Sequence, residues 1–285
     1  MTSGGDRRYL FIHVMKTGGT SFADLLRVNF PDGARYPDAV LPPDAELGRR
    51  MEAYTHVPKL VEDVNRLAEQ LQLVRGHVPY SVRSLLDRHY ETLTLLRDPV
   101  ERTFSYLKHC RKYHVEHKDM VIEEIYEDRW FFETFIANYQ TKIFSMSAIE
   151  ALAETRLGDM SPPIPPRAAF TAEGPIPPEA LEMHGKNWGR LSLEVFAPAT
   201  GVIKVDEDRL ATAKKNLSDV DLVGVTEGYP DFVNALHTRY GWQVPDLPRK
   251  NVSDSLDLTP GLRRRIESDN AFDMELYEFA RTLAV

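Results

Sequence analysis

The stretch that most constrains this chain is a β-rich run broken by paired glycines and followed at once by a helical pattern. Tyr9-Leu-Phe-Ile-His-Val14 is mostly apolar and reads as a buried strand. Lys16-Thr-Gly-Gly-Thr-Ser21 interrupts it. Phe22-Ala-Asp-Leu-Leu-Arg-Val28 then places Phe22, Leu25 and Leu26 at helical spacing, and Pro31 ends the helix. A strand, a glycine turn and a helix in that order form a cradle for an anion. Gly18 and Gly19 let the backbone approach closely, and the first N–H groups of the helix and its dipole favour negative charge. Lys16 supplies a mobile cation, and Thr17, Thr20 and Ser21 supply hydroxyls. The plainer alternative is an ordinary turn in which Thr20 caps the helix. The segment is not a Walker A loop, because Lys16 precedes both glycines instead of following the second.

Strand and helix patterns alternate along the rest of the chain. Leu73–Val78, Thr92–Leu96, Gly201–Val205 and Leu222–Val225 read as further strands. Helices are expected over Lys59–Leu71, Ser81–His89, from Pro99 onward, over Arg209–Leu217 and Tyr229–Tyr240, and in two final segments, Pro260–Glu267 and Phe272–Ala284. Residues 113–158 read as amphipathic helix, and residues 31–57 as irregular. This alternation predicts an α/β fold: one domain spanning 1–285, with a central, mainly parallel sheet flanked by helices. Seven of the 19 prolines fall between Ser161 and Pro178, which reads as an irregular inserted loop over about 161–178.

Composition narrows the function classes. With 35 Lys+Arg against 43 Asp+Glu the net charge is −8, which argues against bulk attraction to nucleic acid. The single cysteine, Cys110, excludes an internal disulfide and a multi-cysteine metal site. The apolar run near the start is too short for an integral membrane segment, so a soluble, cytoplasmic protein is expected.

A second anion grip is expected after the strand that ends at Leu96. Arg97 sits at the strand's carboxyl end, and Ser105 lies two turns into the following helix, which Asp98 can cap and Pro99 can begin. A guanidinium fork with a hydroxyl suits a phosphate monoester. An Arg97–Asp98 surface pair beside a solvated Ser105 is the alternative.

Taken together, Lys16-Thr-Gly-Gly-Thr-Ser21 resembles the 5′-phosphosulfate loop of sulfotransferases, and Arg97-Asp-Pro-Val-Glu-Arg-Thr-Phe-Ser-Tyr-Leu107 resembles their 3′-phosphate motif. The likeness is to the carbohydrate group that includes heparan sulfate 2-O-sulfotransferase and its bacterial relatives. Arg75-Gly-His-Val-Pro79 resembles the segment carrying that group's catalytic histidine, and Val223–Glu227 and Asn270–Ala280 also look familiar. The resemblance implies a P-loop-like sulfotransferase fold. It implies 3′-phosphoadenosine 5′-phosphosulfate (PAPS) as co-substrate, 3′-phosphoadenosine 5′-phosphate (PAP) as product, and no metal. Lys16, Thr17, Gly18, Gly19, Thr20 and Ser21 would hold the 5′-phosphosulfate, Arg97 and Ser105 the 3′-phosphate, and Lys250, in Arg249-Lys250-Asn251, would complete the latter site. His77 would be the general base and Lys16 the second catalytic group. The acceptor would be a hydroxyl of a small molecule, glycan or glycolipid. The chain lacks the membrane anchor and disulfides of the Golgi enzymes, which implies a bacterial cytoplasmic relative.

Competing readings are an ATP-dependent phosphoryl transferase and a catalytically silent nucleotide-binding protein. His109, His114 and His117 lack the spacing of a metal site and read as a solvated helix face. Arg263-Arg-Arg265 reads as a solvated face as well. Arg102 is expected in a surface ion pair, Cys110 as a half-buried thiol, and Phe131, Phe132, Phe135 and Ile136 in the core.

Overall fold

The computed structural model describes residues 7–42, 44–45, 47–113, 117, 119–128, 131–152, 200–201, 203–245 and 258–285. The proline-rich loop at 161–178, His114 and the Arg249–Asn251 segment with Lys250 lie outside them.

Five parallel strands form the central sheet: β1 (Tyr9–Ile12), β2 (Arg35–Tyr36), β3 (Leu73–Gly76), β4 (Glu91–Leu96) and β5 (Leu222–Val225), in the spatial order β2-β3-β1-β4-β5. The alternation of side chains explains why both faces are covered. Leu10, Ile12 and Val74 point into one apolar cluster, and Tyr9, Phe11, Leu73, Leu93 and Leu95 into another. A parallel sheet needs crossover connections, and here helices cover both of its faces. Helix α1 (Gly19–Asn29) contributes Phe22, Leu25 and Leu26 to the second cluster. On the opposite face α2 (Leu47–Thr55) precedes α3 (Val57–Arg66), which buries Leu60 and Val64. Helix α4 (Pro99–Tyr113) adds Val100, Phe104 and Leu107 there.

The segment after α4 breaks into short pieces: α5 (Ile122–Glu127), a π-turn over Phe132–Ile136, α6 (Tyr139–Ser145) and α7 (Ala148–Leu152). Helix α8 (Glu207–Ser218) is capped by Asp206, whose carboxylate accepts from Arg209 N at 2.9 Å. Helix α9 (Tyr229–Tyr240) ends at Gly241, whose φ of 72° supplies the left-handed stop. Helices α10 (Pro260–Asp269) and α11 (Ala271–Leu283) close the chain.

Three expectations are revised. Residues 203–206 form no strand: Ile203 is buried and Lys204 exposed, an alternation that imitates a strand, but this stretch pairs with no sheet neighbour and leads into α8. The helix expected over Ser81–His89 is a shorter 3₁₀ helix, Tyr80–Leu85, and the region read as irregular, 31–57, holds β2 and α2.

The strand order positions the site. From β1 the chain runs to β2 and β3 on one side, then crosses to β4 and β5 on the other. Ligands of open parallel sheets bind beyond the carboxyl ends of strands where the order reverses, here between β1 and β4.

Candidate active site

Register brings the ends of β1 and β3 level, and β4 runs two residues further on the same side. Ile12 lies opposite Gly76 of β3 on one side and Thr94 of β4 on the other. The segments that follow, 13–19, 77–79 and 97–98, therefore leave one edge of the sheet side by side.

The β1 loop is tightly wound. Lys16 has a φ of 70° and Gly18 one of 87°, both left-handed. For a lysine that conformation costs about 1–2 kcal/mol. Thr17 is fully buried, and its hydroxyl donates to Val14 O at 2.8 Å. That hydroxyl closes the turn, which leaves the Thr17 backbone N–H as its contribution to an anion. Gly19 begins α1, and Thr20 and Ser21 continue its first turn, which holds no acidic residue. The first N–H groups of an 11-residue helix lack intrahelical partners and point out of this end. Gly19 is needed for space: a Cβ there would lie 1.7 Å from Nε2 of His13.

His77 stands next to this loop. Its backbone N–H donates to Tyr54 O at 2.7 Å, and its Nδ1 lies 2.8 Å from His13 O. A carbonyl oxygen only accepts, so Nδ1 carries the proton and Nε2 keeps its lone pair. The His13 and His77 rings lie 4.3 Å apart, tilted by 34°. Burial lowers the His77 pKa to about 4; the positive charges of Arg75 and Lys16 act in the same direction, against the bond to His13 O. The imidazole is therefore neutral at neutral pH. Arg75 lies over the Tyr54 ring and donates to its hydroxyl.

At the β4 tip, Asp98 caps α4 as expected, accepting from Glu101 N at 2.9 Å. The Arg97 guanidinium donates to Lys16 O at 3.3 Å and lies 3.9 Å from Glu101. It thus ties the second strand tip to the first. Ser105 is half-buried on α4. Burial lowers the Lys16 ammonium to about 8, and Arg97, Arg102 and Lys108 add positive charge that pushes the same way. On the far side of Arg97, Thr226 Oγ1 donates to Leu96 O at 3.0 Å, and Tyr277 donates to Glu227 at 2.7 Å.

Lys16, His77 and Arg97, expected from separate segments, are thus neighbours. Two groups escaped the sequence reading of the site, His13 and Gln140; Asp273, in the Asn270–Ala280 stretch, entered it only through the resemblance and without a role. Only the histidine left a local signal, its break in the apolar run of β1. Arg102 differs from expectation: it is fully buried, donates to Phe135 O, and has no hydrogen-bond partner for Nε and Nη1 among the described residues. The helix that carries it presents that position to the core beside Tyr139 and Asp273, not to solvent. His117 is buried against Phe131, and Cys110 is fully buried; neither lies on a solvated face. Arg263 and Arg265 pair on the surface with Glu101 and Glu127.

Among the described residues, no group of three or more His, Cys, Asp or Glu side chains is arranged to hold a metal ion, and no helix is long and apolar enough to cross a membrane. No protein-family profile matches the chain, and no curated protein matches it.

Proposed function

We propose that this protein is a sulfotransferase that moves the sulfuryl group of PAPS to a hydroxyl of a carbohydrate or glycolipid acceptor. One observation carries the reading: Lys16, His77 and Arg97 leave three adjacent parallel strands at the same sheet edge, joined through His13 O and Lys16 O. A nucleotide bearing phosphates at two ribose positions calls for two cationic grips, and transfer from it to a hydroxyl calls for a base nearby; Lys16, Arg97 and His77 support that reading. The sequence motifs match those grips in order, and the wound loop at 16–19 offers backbone N–H groups to the phosphosulfate.

In the proposed reaction the acceptor oxygen attacks sulfur in line with the bond to the bridging oxygen. His77 takes the acceptor proton on Nε2 as the new S–O bond forms. The old S–O bond breaks, and its electron pair leaves on the 5′-phosphate of PAP. Lys16 and the loop N–H groups meet that charge; the loss of one such stabiliser typically costs about 10²–10³ in rate. His77 is uncharged in the free protein, so it accepts a proton without first losing one. The negative donor offsets the Arg75 and Lys16 charges that weaken it as a base.

The test is PAP binding by calorimetry, followed by transfer of labelled sulfuryl groups from PAPS to a glycan panel. Binding of PAP with transfer to at least one acceptor is expected. Stabilisation by Mg-ATP and none by PAP would instead indicate a phosphoryl transferase. PAP binding unaltered by His77→Ala, with no turnover in either protein, would indicate a silent nucleotide binder.

A further inference from the structure

Arg97 is the first residue past β4, where its backbone N–H and C=O no longer have ladder partners. One side chain meets both. The Gln140 amide accepts from Arg97 N at 3.1 Å through Oε1 and donates to Arg97 O at 2.9 Å through Nε2. Gln140 is fully buried and lies 43 residues further along the chain. An amide that satisfies both the N–H and the C=O of one residue, and so grips the two peptide planes on either side of its Cα, acts as a short substitute for a neighbouring strand and fixes the direction in which the Cα–Cβ bond of Arg97 leaves.

Gln140 is itself held. It lies in the first turn of α6, where Asp273 of α11 accepts from Gln140 N at 3.0 Å, Thr141 N at 2.7 Å and the Thr141 hydroxyl at 2.7 Å. Asp273 is anchored in turn, because its N–H donates to Asn138 Oδ1 at 3.0 Å, while Asn138 N donates to Asn270 Oδ1 at 2.9 Å. Every link is buried or partly buried. The path runs from the start of α11, through the turn before α6, to the base of the Arg97 side chain.

We propose that Gln140 is a positioning residue that aims the Arg97 guanidinium at the 3′-phosphate of the donor, with Asp273 holding Gln140 in register. This rests on the sulfotransferase reading. Among the described residues the Arg97 guanidinium reaches Lys16 O and Glu101, at 3.3 and 3.9 Å, so its direction depends on its backbone more than on its tip. A small rotation of the peptide plane swings the distal nitrogens much further than it moves the backbone.

The test compares two ligands by calorimetry: PAP, and adenosine 5′-phosphosulfate, which lacks the 3′-phosphate. In Gln140→Leu the grip is lost with little change in volume. PAP affinity should fall roughly 10-fold to 100-fold, as expected for losing charge-assisted contacts, while affinity for adenosine 5′-phosphosulfate stays the same. Gln140→Glu, which keeps an acceptor for Arg97 N and loses the donor to Arg97 O, should show the same selective loss to a smaller degree. It serves as the test if Gln140→Leu does not fold. Equal weakening of both ligands would show a general structural role and overturn the proposal, as would unchanged PAP affinity in either variant. A wild-type protein that binds neither ligand would sink the sulfotransferase reading and this inference with it. A wild-type protein that binds PAP beside an equally competent variant would sink this inference alone.

Discussion

Replacing Gly19 with alanine isolates the packing on which the anion loop depends. The new Cβ would stand 1.7 Å from Nε2, 2.1 Å from Cε1 and 2.7 Å from Cδ2 of His13. The ring has little freedom to retreat, with His77 4.3 Å away and Phe11 5.4 Å away, centroid to centroid. Overpacking of this kind costs about 1–3 kcal/mol. Alanine recovers at most about 1 kcal/mol over glycine in a helix interior, and less at a first helical position. Gly19→Ala should therefore destabilise the protein by about 1–2 kcal/mol. In a His13→Ala background those three contacts are gone, and the change should become neutral or stabilising by up to about 1 kcal/mol. The double-mutant cycle should then report a coupling of about 1–3 kcal/mol, read from urea unfolding of the four proteins. Gly18→Ala is the control. Its nearest obstacle is Thr226 Cγ2 at 3.8 Å, but its φ is 87°, so its cost of about 1–2 kcal/mol should be the same with or without His13. Equal effects of Gly19→Ala in both backgrounds would refute the steric account.

Three further outcomes are expected. His77→Ala should lose most turnover while PAP affinity, measured by calorimetry, stays near wild type; normal turnover would remove His77 from the base role. Lys16 has a folded pKa of about 8 against an ordinary value of 10.5, so between those values the folded state binds fewer protons than the unfolded one. Its contribution to stability should therefore rise with pH across that window, while PAP affinity falls above about pH 8. A pH titration of PAP binding should show that fall in wild type and a flat line in Lys16→Met. Asp273→Ala should destabilise the fold by about 3–5 kcal/mol, because it removes the acceptor for three donors and leaves the buried Arg102 without its neighbouring carboxylate; an unfolding free energy from urea titration within about 1 kcal/mol of wild type would contradict this.

The site was legible wherever its chemistry is local. Lys16 to Ser21 and the Asp98 cap are written in consecutive residues, and the structure places them at the end of β1 and the start of α4. Legibility failed for side chains whose role depends on burial. Arg102 shares a helix with Ser105, and a charged residue three positions away reads naturally as solvated; the packing of Phe135 and Tyr139 over that face of α4 decides otherwise. His117 and Cys110 fail for the same reason. Thr17 was read as a hydroxyl for a ligand, yet the turn takes that hydroxyl for Val14 O. Gln140 carries no local pattern, and Asp273 stood out only within the familiar Asn270–Ala280 stretch; the contacts that give them a role lie 43 and 132–133 positions away.

By itself the sequence located β1, β3, β4 and β5 and the loops and helices that follow them. Those outcomes follow from side-chain periodicity, glycine freedom and capping, all of which act over a few neighbouring positions. Only the tertiary structure decided that β3, β1 and β4 lie side by side, and hence that His77, Lys16 and Arg97 share one edge. Parallel pairing joins segments tens of residues apart through backbone groups that every residue possesses. The identity of a strand's neighbour is therefore set by how the apolar faces of the whole chain pack, not by any short stretch of it.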